Sequence, residues 1–546
     1  MPVPRDAQRP PLGVVYTPPA VARAMVRVAL APLVVGRGVD ELLALRVCDP
    51  AIGEGAFVVE IARFLDDAVA RAGGSAAARR AALERCIAGV DVDARAVEVA
   101  RAALERLGAR RDALEVGDAL ARTWPAPFDA VVGNPPYVRQ EWLAGKAPLR
   151  GFASYDGVAD LYVYFLELAH RLARPGGRYC LITPNKWLTV AYAAPLRAFL
   201  AGARSVEGIV DLGRSPLFAE DAFPCITWGT VAPAAPAAEI AAVRAAVDPE
   251  EPGDLLERAL AGASPHPRAS WQRGPWHIDD PADRALVERL HARWPRLGEL
   301  AGRPSRGIVT GCNRAFAIDG ATRARLVAED PAAAAWIRPF VKGRDLRRWR
   351  PARADRHLLL VDRGTELAAL PAPIRAHLAA HRRDLEPRAA PGGDGPGRKP
   401  GTYRWYELQD PVGPTTAART PRLLYQDIQT EPACCLAGED DVPDTTVWML
   451  PTGDRLLLAI LNSPLYRWYA QRRFPPALNG AVRPKLAYVR ELPIAQPPPA
   501  LRAHLERLVD DQLADPTAER DRAIAAAVLD AYELDAADRR RLDAGR

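Results

Sequence analysis

Residues 45–57 of this 546-residue chain read LRVCDPAIGEGAF, and this segment gives the clearest indication of the fold. An apolar segment that favours a β-strand, Leu45–Cys48, leads into a turn that contains Gly53 and Gly55, and a helix follows over Gly55–Ala72. Glycines at a strand-to-helix turn allow the backbone to approach a ligand closely at the carboxyl edge of a parallel sheet. The stretch therefore predicts a ligand-binding α/β domain.

The chain from Arg46 to about Val231 alternates short apolar runs with helical stretches. This alternation indicates a mostly parallel, seven-stranded sheet with helices on both faces. The predicted strands are Leu45–Cys48, Cys86–Val90, Leu114–Val116, Phe128–Val132, Tyr179–Ile182, Val206–Val210 and Ile226–Val231. The main predicted helices are Gly55–Ala72, Ala94–Leu107 and Asp160–Ala173, and the last one ends at the stop signal Arg174-Pro175-Gly176-Gly177.

A chain of this length exceeds one ordinary domain. We expect a Rossmann-like domain over residues 1–235 and a connecting segment over 236–295, which is rich in Ala, Pro and Asp. A second, mixed α/β domain is expected over 296–495, followed by a helical tail over 496–546.

The net charge of +6 is unevenly distributed. Residues 296–495 contain 31 basic and 21 acidic residues, a balance of +10, so the remainder of the chain stands at about −4. A polyanion is therefore expected to bind the C-terminal half. No apolar run approaches the roughly 18 residues of a membrane span, and the N-terminus lacks the apolar stretch of a signal peptide. A cytoplasmic protein without a membrane partner is the expectation.

Cysteine and lysine usage excludes several chemistries. The seven cysteines show no CxxC pair and no metal-ligand spacing, so we expect free thiols and no metal. None of the five lysines is followed by Ser or Thr, which excludes a phosphate-binding GxxxxGK[ST] loop. None has an acidic residue two positions before it, which excludes the common acid-x-Lys arrangement of nucleases.

The tetrapeptide Asn134-Pro135-Pro136-Tyr137 follows the apolar strand Phe128–Val132 and indicates the chemistry. The side-chain carbonyl of Asn134 and the constrained backbone carbonyl of Pro135 can accept both hydrogens of a planar amino group. The ring of Tyr137 can stack on the ring that bears this amine. The arrangement suits methylation of an exocyclic amine, most often the 6-amino group of adenine.

Two further strands end in carboxylates placed for a nucleoside. The second strand ends in GVDVD, residues 89–93, where Asp91 can bind both ribose hydroxyls, and the third ends in GDAL, residues 117–120, where Asp118 can accept from an adenine amine. An acid after the second strand also fits a nicotinamide dinucleotide. The turn, however, lacks a third glycine and contains Glu54, whose charge suits the ammonium group of S-adenosylmethionine better than a pyrophosphate.

Taken in order, Tyr16-Thr17-Pro18-Pro19, the glycine turn, NPPY and a long basic C-terminal half resemble the gamma class of adenine-specific DNA amino-methyltransferases of restriction-modification and phage-defence systems. The resemblance implies an S-adenosylmethionine-dependent methyltransferase domain and a C-terminal DNA-recognition domain. It also implies site-specific methyl transfer to adenine in double-stranded DNA, after the base has rotated out of the duplex. A separate restriction endonuclease or a defence-complex subunit is the further partner that such systems include.

The resemblance also implies roles for individual residues. Those that would contact the cofactor are Tyr16, Thr17, Pro18, Asp49, Ala51, Gly53, Gly55, Asp91, Val92, Asp118, Ala119 and Phe165. Thr17 and Pro18 would pack over the methionine end, and Pro136 and Phe165 would sandwich the adenine ring, although Phe165 also fits a plain helix core. Phe218 would supply a second aromatic ring beside Tyr137, with Phe223 as the alternative; a packing role for Phe218 stays open.

Three segments of the C-terminal half, residues 307–316, 337–346 and 461–469, resemble the recognition domains of this class. The basic residues predicted to contact DNA are Lys342, Arg344, Arg347, Arg348, Arg467, Arg472, Arg473 and Lys485. Most would pair with phosphates, and a few arginines would read guanine edges. A solvated basic face is the alternative for each of them taken singly.

The residues leave other functions open. NPPY also occurs in methyltransferases that act on a protein glutamine or on RNA, but those resemble shorter chains without the Tyr-Thr-Pro-Pro lead. Transfer to the 4-amino group of cytosine is more typical of a serine in place of Asn134. A non-catalytic DNA-specificity subunit is disfavoured because Asp49, Asp118, Asn134 and Tyr137 are intact.

Overall fold

The computed structural model describes residues 16–140, 147–213, 223–232, 237–245, 255–272, 274–352, 354–388, 397–413, 416, 420–477 and 480–543. The chain divides into two compact units, with the boundary between Ala282 and Asp283. Each unit has its own sheet structure and its own apolar core.

The N-terminal unit contains one nine-stranded sheet. Its strands are β1 (Val47–Asp49), β2 (Ile87–Asp91), β3 (Leu114–Val116), β4 (Phe128–Gly133), β5 (Ala173–Pro184), β6 (Val206–Asp211), β7 (Pro224–Thr230), β8 (Glu239–Arg244) and β9 (Ser264–Pro267). Their spatial order is β3-β2-β1-β4-β5-β7-β6-β8-β9. The strands β1 to β5 pair in parallel, whereas β7 runs antiparallel between β5 and β6. All seven predicted strands are present, so the predicted α/β class is confirmed.

Helices cover this sheet. They are α1 (Pro19–Val34), α2 (Val39–Leu43), α3 (Ala56–Arg71), α4 (Ala76–Arg85), α5 (Ala94–Glu105), α6 (Tyr162–Leu172), α7 (Ala194–Ala203) and α8 (Leu255–Ala261). In α3, the side chains of Phe57, Val58, Ile61 and Leu65 recur at helical spacing and are buried. This apolar stripe is the reason that the helix packs onto the core instead of standing in solvent.

The strand β1 lies at the centre of the parallel part. Cys48 pairs with Ala88 of β2 on one side and with Val131 of β4 on the other. The chain leaves β1 toward β2 and reaches β4 only later, so the strand order reverses at this point. A crevice forms outside the carboxyl ends of the strands at such a switch point, and ligands bind there in open α/β sheets.

Two strands from the segment predicted as a connection complete the sheet. The strand β8 pairs in parallel with β6, and β9 pairs antiparallel with β8 at the edge. Because β8 reads EIAAVR and alanine has little preference for strands, its pattern looks helical in the sequence. The two prolines of β9 are tolerated because an edge strand has one unpaired side. Residues 236–282 therefore belong to the first unit, and the prediction of a connecting segment over 236–295 is corrected.

The C-terminal unit contains two four-stranded sheets. The first has the order β10-β17-β14-β15, and the second has the order β11-β13-β12-β16. Their strands are β10 (Ser305–Arg306), β11 (Ala317–Ile318), β12 (Ile337–Val341), β13 (His357–Leu359), β14 (Arg422–Gln426), β15 (Cys435–Ala437), β16 (Val442–Pro443) and β17 (Val447–Leu450).

The helices of this unit surround a second apolar core. They are α9 (Pro281–Arg293), α10 (Leu297–Leu300), α11 (Asn313–Phe316), α12 (Gly320–Glu329), α13 (Ala372–Ala380), α14 (Arg382–Leu385), α15 (Arg455–Leu461), α16 (Pro464–Arg473), α17 (Leu486–Val489), α18 (Pro499–Ala514), α19 (Ala518–Ala531) and α20 (Ala536–Asp543). Leu505 and Val509 of α18 and Ile524 and Val528 of α19 are buried in the same core as α15 and α16. The predicted tail over 496–546 is therefore an integral part of the C-terminal unit, because its apolar side chains need that burial.

Three further observations concern the described residues. No helix among them combines the length and the apolar character needed to cross a bilayer. In the same part of the chain, no group of three or more His, Cys, Asp and Glu side chains is arranged to hold a metal ion. All seven cysteines are free thiols; six are buried and Cys312 is partly exposed.

Removing part of the Leu505 side chain tests whether α18 belongs to the core. Leu505 is fully buried, so Leu505→Ala leaves a cavity and should lower the free energy of unfolding by about 2–5 kcal/mol. Arg507→Ala, on the exposed side of the same helix, is the control and should be near neutral. Urea unfolding monitored by fluorescence measures both. Equal stability of the two variants would contradict an integral helix.

Candidate cofactor and substrate site

The turn after β1 is ordered by a carboxylate from the neighbouring strand. Gly53 and Gly55 adopt left-handed conformations, with φ of 50° and 99°. A Cβ on Gly55 would lie 2.9 Å from the Cβ of Ala100 in α5, so a side chain does not fit there. One carboxylate oxygen of Asp91 accepts the N–H of Gly53 at 2.9 Å, and the other accepts the N–H of Asp93 at 2.9 Å. Asp91 therefore fixes the backbone of both turns.

A cavity of about 990 Å³ lies at the carboxyl edge of the sheet. The predicted site residues on its wall are Tyr16, Thr17, Ala51, Gly53, Gly55, Asp91, Val92, Asp118, Ala119, Asn134, Pro136 and Phe165. Among the described residues predicted for the site, Pro18, Asp49, Pro135 and Tyr137 are not on that wall. The fold thus brings together residues that the sequence spreads from position 16 to position 165.

One wall of the cavity has an exposed apolar side chain next to a carboxylate. Val92 is 58% exposed, and it lines the cavity directly after β2. Asp118 is exposed as well, and its Oδ1 accepts the N–H of Leu120 at 2.9 Å. Ala119 is buried, and its carbonyl accepts from the indole N–H of Trp124 at 3.2 Å. A flat ring system with a polar edge matches such a surface.

Asn134 meets the Tyr-Thr-Pro-Pro segment at this cavity. Its side-chain Nδ2 donates to the hydroxyl of Thr17 at 2.9 Å, across 117 positions of sequence. Thr17 is 4% exposed and lies just before α1. Pro135 is buried, and Pro136 lines the cavity. Two motifs that the sequence analysis gives to different ligands therefore form one wall.

Tyr137 lies beside the cavity and not on its wall. Its ring packs edge-on against Tyr162, with ring centroids 6.5 Å apart. Its hydroxyl is buried and has no hydrogen-bond partner among the described residues, and burial raises the pKa of this phenol. The Tyr162 hydroxyl lies 3.2 Å from that of Tyr192, which donates to Asp160 at 3.0 Å. Tyr137 thus rests on a hydrogen-bonded aromatic layer.

Asp49, at the end of β1, packs against Gly133, the residue that precedes Asn134. Its Oδ1 accepts the N–H of Ala51 at 3.0 Å. A Cβ on Gly133 would lie only 2.5 Å from the same oxygen, so glycine is required at that position. Burial, together with the nearby charge of Asp91, raises the pKa of Asp49 to about 8. This shift favours the neutral form of the Asp49 carboxyl group.

The helix α6 places Phe165 at the cavity and fastens the chain after Tyr137. Phe165 is 4% exposed and lines the cavity, so it is both a wall residue and part of the helix core. The N–H of Leu161 donates to the carbonyl of Val138 at 3.0 Å, and Asp160 accepts the N–H of Gln140 at 3.2 Å. The segment after NPPY is therefore held by the start of α6.

The sequence analysis missed two charged residues of α3 on the cavity wall, Glu60 and Arg63. Glu60 is only 3% exposed and forms ion pairs with Arg23 at 3.0 Å and with Arg63 at 2.7 Å. The available signal was an acidic residue on the apolar stripe of α3. Such a residue is rarely buried unless it is paired.

The late aromatic residues are only partly covered by the structure. Phe218 lies outside the described residues. Phe223, the alternative, is half-buried immediately before β7, and its carbonyl accepts the N–H of Asn185 at 2.7 Å.

Most of the basic residues predicted to contact DNA have partners inside the C-terminal unit. Arg348 pairs with Asp521 at 2.9 Å, Arg467 with Glu431 at 2.9 Å, and Arg472 with Asp283 at 2.6 Å. The guanidinium groups of Arg347 and Arg473 donate to backbone carbonyls nearby. By contrast, the side chains of Lys342, Arg344 and Lys485 form no ion pair or hydrogen bond with the described residues.

Lys342 and Arg344 border a second cavity of about 370 Å³. The other residues that line it are Gly343, Gln426, Asp427, Ile428, Asp444 and Thr446. Its floor is fixed, because Gln426 Nε2 donates to the carbonyl of Gly343 at 2.7 Å and Thr446 Oγ1 accepts the N–H of the same glycine at 2.8 Å. Ile428 is 53% exposed. Two cations, two carboxylates and an exposed apolar side chain thus border this cavity.

Comparison with known proteins agrees with this geometry. Residues 110–218, which include β4 and the NPPY segment, match the Eco57I restriction-modification methylase family. The chain is therefore similar to methyltransferases of restriction-modification systems. It is 26% identical to the Type II methyltransferase M.XhoI of Xanthomonas vasicola over 496 residues, which are 83% of this chain and 86% of that protein. It is 22% identical to the Type II methyltransferase M.BstVI of Geobacillus stearothermophilus over 545 residues, or 92% and 93% of the two chains.

The fold of this methyltransferase is also similar to that of a solved enzyme. The structure of the Type IIL restriction-modification enzyme MmeI in complex with DNA superposes with a TM-score of 0.60. The alignment covers 94% of this chain and 72% of that chain, at 15% sequence identity. The predicted fold class is confirmed.

Two glycines of the methyltransferase with positive φ allow a matched test of the turn. Gly55→Ala should lower the melting temperature more than Gly108→Ala, because both backbones are strained by a side chain but only Gly55 also lacks space for one. The strain common to both is worth roughly 1–2 kcal/mol. Thermal unfolding without added cofactor measures the difference. Equal destabilisation of the two variants would show that the turn is not packed as described.

Proposed function

We propose that this methyltransferase transfers the methyl group of S-adenosylmethionine to the 6-amino group of adenine at specific sites in double-stranded DNA. One observation above all supports the proposal. Asn134 and Pro136 line the same cavity as the glycine turn and the carboxylates of Asp91 and Asp118. A methyl donor and an amine acceptor would therefore meet in one enclosed space. A restriction endonuclease with the same target is the partner whose cleavage such methylation would block.

The cavity wall offers contacts for each part of the donor's nucleoside. A carboxylate offers about four acceptor positions, so Asp91 could bind the ribose hydroxyls while it keeps its two backbone hydrogen bonds. Asp118 would accept from the adenine amine, Pro136 and Phe165 would sandwich the ring, and Val92 would pack against it. Such a contact would bury the exposed side chain of Val92. When bound, S-adenosylmethionine supplies an electrophilic methyl group on a positively charged sulfur.

The NPPY residues would prepare the amine. Its lone pair is conjugated into the purine ring, which makes it a poor nucleophile. If the Asn134 side-chain carbonyl and the Pro135 backbone carbonyl accept its two hydrogens, the nitrogen can become tetrahedral and direct its lone pair at the methyl carbon. The chain's contribution is then mainly alignment and electrostatic stabilisation. The adenine must leave the duplex to reach this place.

Tyr137 would contact the face of the extruded base, and its present packing supports a fixed position for the ring. The edge-on contact with Tyr162 leaves the ring only half-buried. Stacking of a base on an aromatic side chain contributes roughly 1–3 kcal/mol. Phe218 stays the proposed second aromatic partner.

DNA contacts are proposed for the C-terminal unit, with emphasis on Lys342, Arg344 and Lys485, whose side chains have no partner among the described residues. Ion-paired arginines such as Arg348 and Arg472 already satisfy their charge inside the protein. Lys342 and Arg344 stand together at the second cavity, where phosphate oxygens or base edges could reach both. Lys485 is exposed elsewhere in the same unit.

Replacing Asn134 tests the proposed chemistry. Asn134→Ala removes one acceptor for the amine, so methyl transfer should fall by about two to three orders of magnitude while binding of S-adenosylmethionine stays nearly normal. Tritium transfer from labelled cofactor to DNA measures the rate, and calorimetry measures cofactor binding. Nucleoside mass spectrometry of the wild-type product should show 6-methyladenine. Methylcytosine as the product, or undiminished transfer by the variant, would refute the proposal.

Removing the two cations at the second cavity tests the proposed DNA contact. The double variant Lys342→Met, Arg344→Met should bind DNA more weakly, and the slope of log K against log salt should become shallower by about one per lost phosphate contact. The matched control is the double variant Arg383→Met, Lys399→Met, which removes the same charge at exposed positions away from the cavity. If both double variants lose the same DNA affinity, the effect comes from net charge alone, and a specific contact at the cavity is rejected.

A further inference from the structure

Thr17 lies where two functional segments meet. It is buried just before α1, lines the large cavity and accepts a hydrogen bond from Asn134 Nδ2 at 2.9 Å. By its place in the sequence it belongs to the segment expected to cover the cofactor. Its hydrogen bond, however, is with Asn134, the residue proposed to bind the target amine.

In this contact the Nδ2 of Asn134 faces Thr17, whose hydroxyl accepts from it. The nitrogen of a side-chain amide only donates and its oxygen only accepts, so the two ends are not interchangeable. With Nδ2 held by Thr17, the carbonyl oxygen lies on the opposite side of the amide group. An amide rotated by half a turn would present N–H groups to an incoming amine, and two donors would face each other.

Thr17 can serve as a fixed reference because its surroundings are rigid. The helix that follows it buries Val21, Ala22, Met25 and Val26 in the core of the N-terminal unit. Arg23 of the same helix pairs with the buried Glu60 of α3 at 3.0 Å. A hydroxyl on such an anchored segment can hold an amide within the tolerance that methyl transfer requires.

We propose that Thr17 is a positioning residue for the reaction: it locks the Asn134 amide in the orientation that accepts the hydrogens of the target amine. The inference rests on the proposed function of Asn134. It differs from the role that the sequence implies, in which Thr17 covers the methionine end of the cofactor. The two roles predict different kinetic effects.

The test compares Thr17→Val, which is isosteric but has no hydroxyl, with Thr17→Ser, which keeps it. Single-turnover methyl transfer at saturating cofactor and DNA should fall by roughly 10- to 100-fold in Thr17→Val and should be largely retained in Thr17→Ser. The dissociation constant for S-adenosylmethionine, measured by calorimetry, should change by less than about threefold in both. An unchanged saturated rate with weaker cofactor binding in Thr17→Val would overturn the proposal.

Two further measurements separate this inference from its premises. Asn134→Ala tests the proposed function itself. The double variant Thr17→Val, Asn134→Ala should transfer methyl no more slowly than Asn134→Ala alone, because Thr17 has no amide left to position. Additive losses in the double variant would show that Thr17 acts independently and would reject the lock. If Thr17→Val fails to fold, Thr17→Ala replaces it in the same comparisons, with thermal unfolding as the check.

Discussion

Parallel pairing of β1 with both β2 and β4 is the constraint on which the site depends. Parallel strands end at the same edge of a sheet, so the segments that follow β1, β2, β3 and β4 must emerge side by side. The hydrogen bond from the Gly53 N–H to Asp91 adds a direct tie between the first two of these segments. Residues that are far apart in the sequence thereby acquire fixed positions around one cavity.

Much of this site could be predicted from the sequence because its elements are local. A strand, a glycine turn and a helix follow one another directly between Val47 and Arg71, and the strand that precedes NPPY is equally local. Once the sheet is parallel, the meeting of the turns follows from topology alone. Asp118 is on the cavity wall for this reason, whereas the place of Phe165, on a helix, was implied by the family resemblance.

What could not be predicted depends on pairing across long distances. Arg472 and Asp283 are 189 positions apart. The composition shows that the region is basic, but it does not show that these two residues form an ion pair. The contact between Thr17 and Asn134 is of the same kind. The strand β8 was hidden for a different reason: its alanines have weak strand preference, and only its neighbour in the sheet determines its conformation.

The prolines of β9 have a consequence for the behaviour of the protein in solution. An edge strand normally presents a row of N–H and C=O groups that another chain can extend, and this is a common route to aggregation. In β9, Pro265 and Pro267 have no N–H group to offer. This rim of the sheet is therefore a poor template for strand addition, and protein copies at high concentration would be kept from joining there.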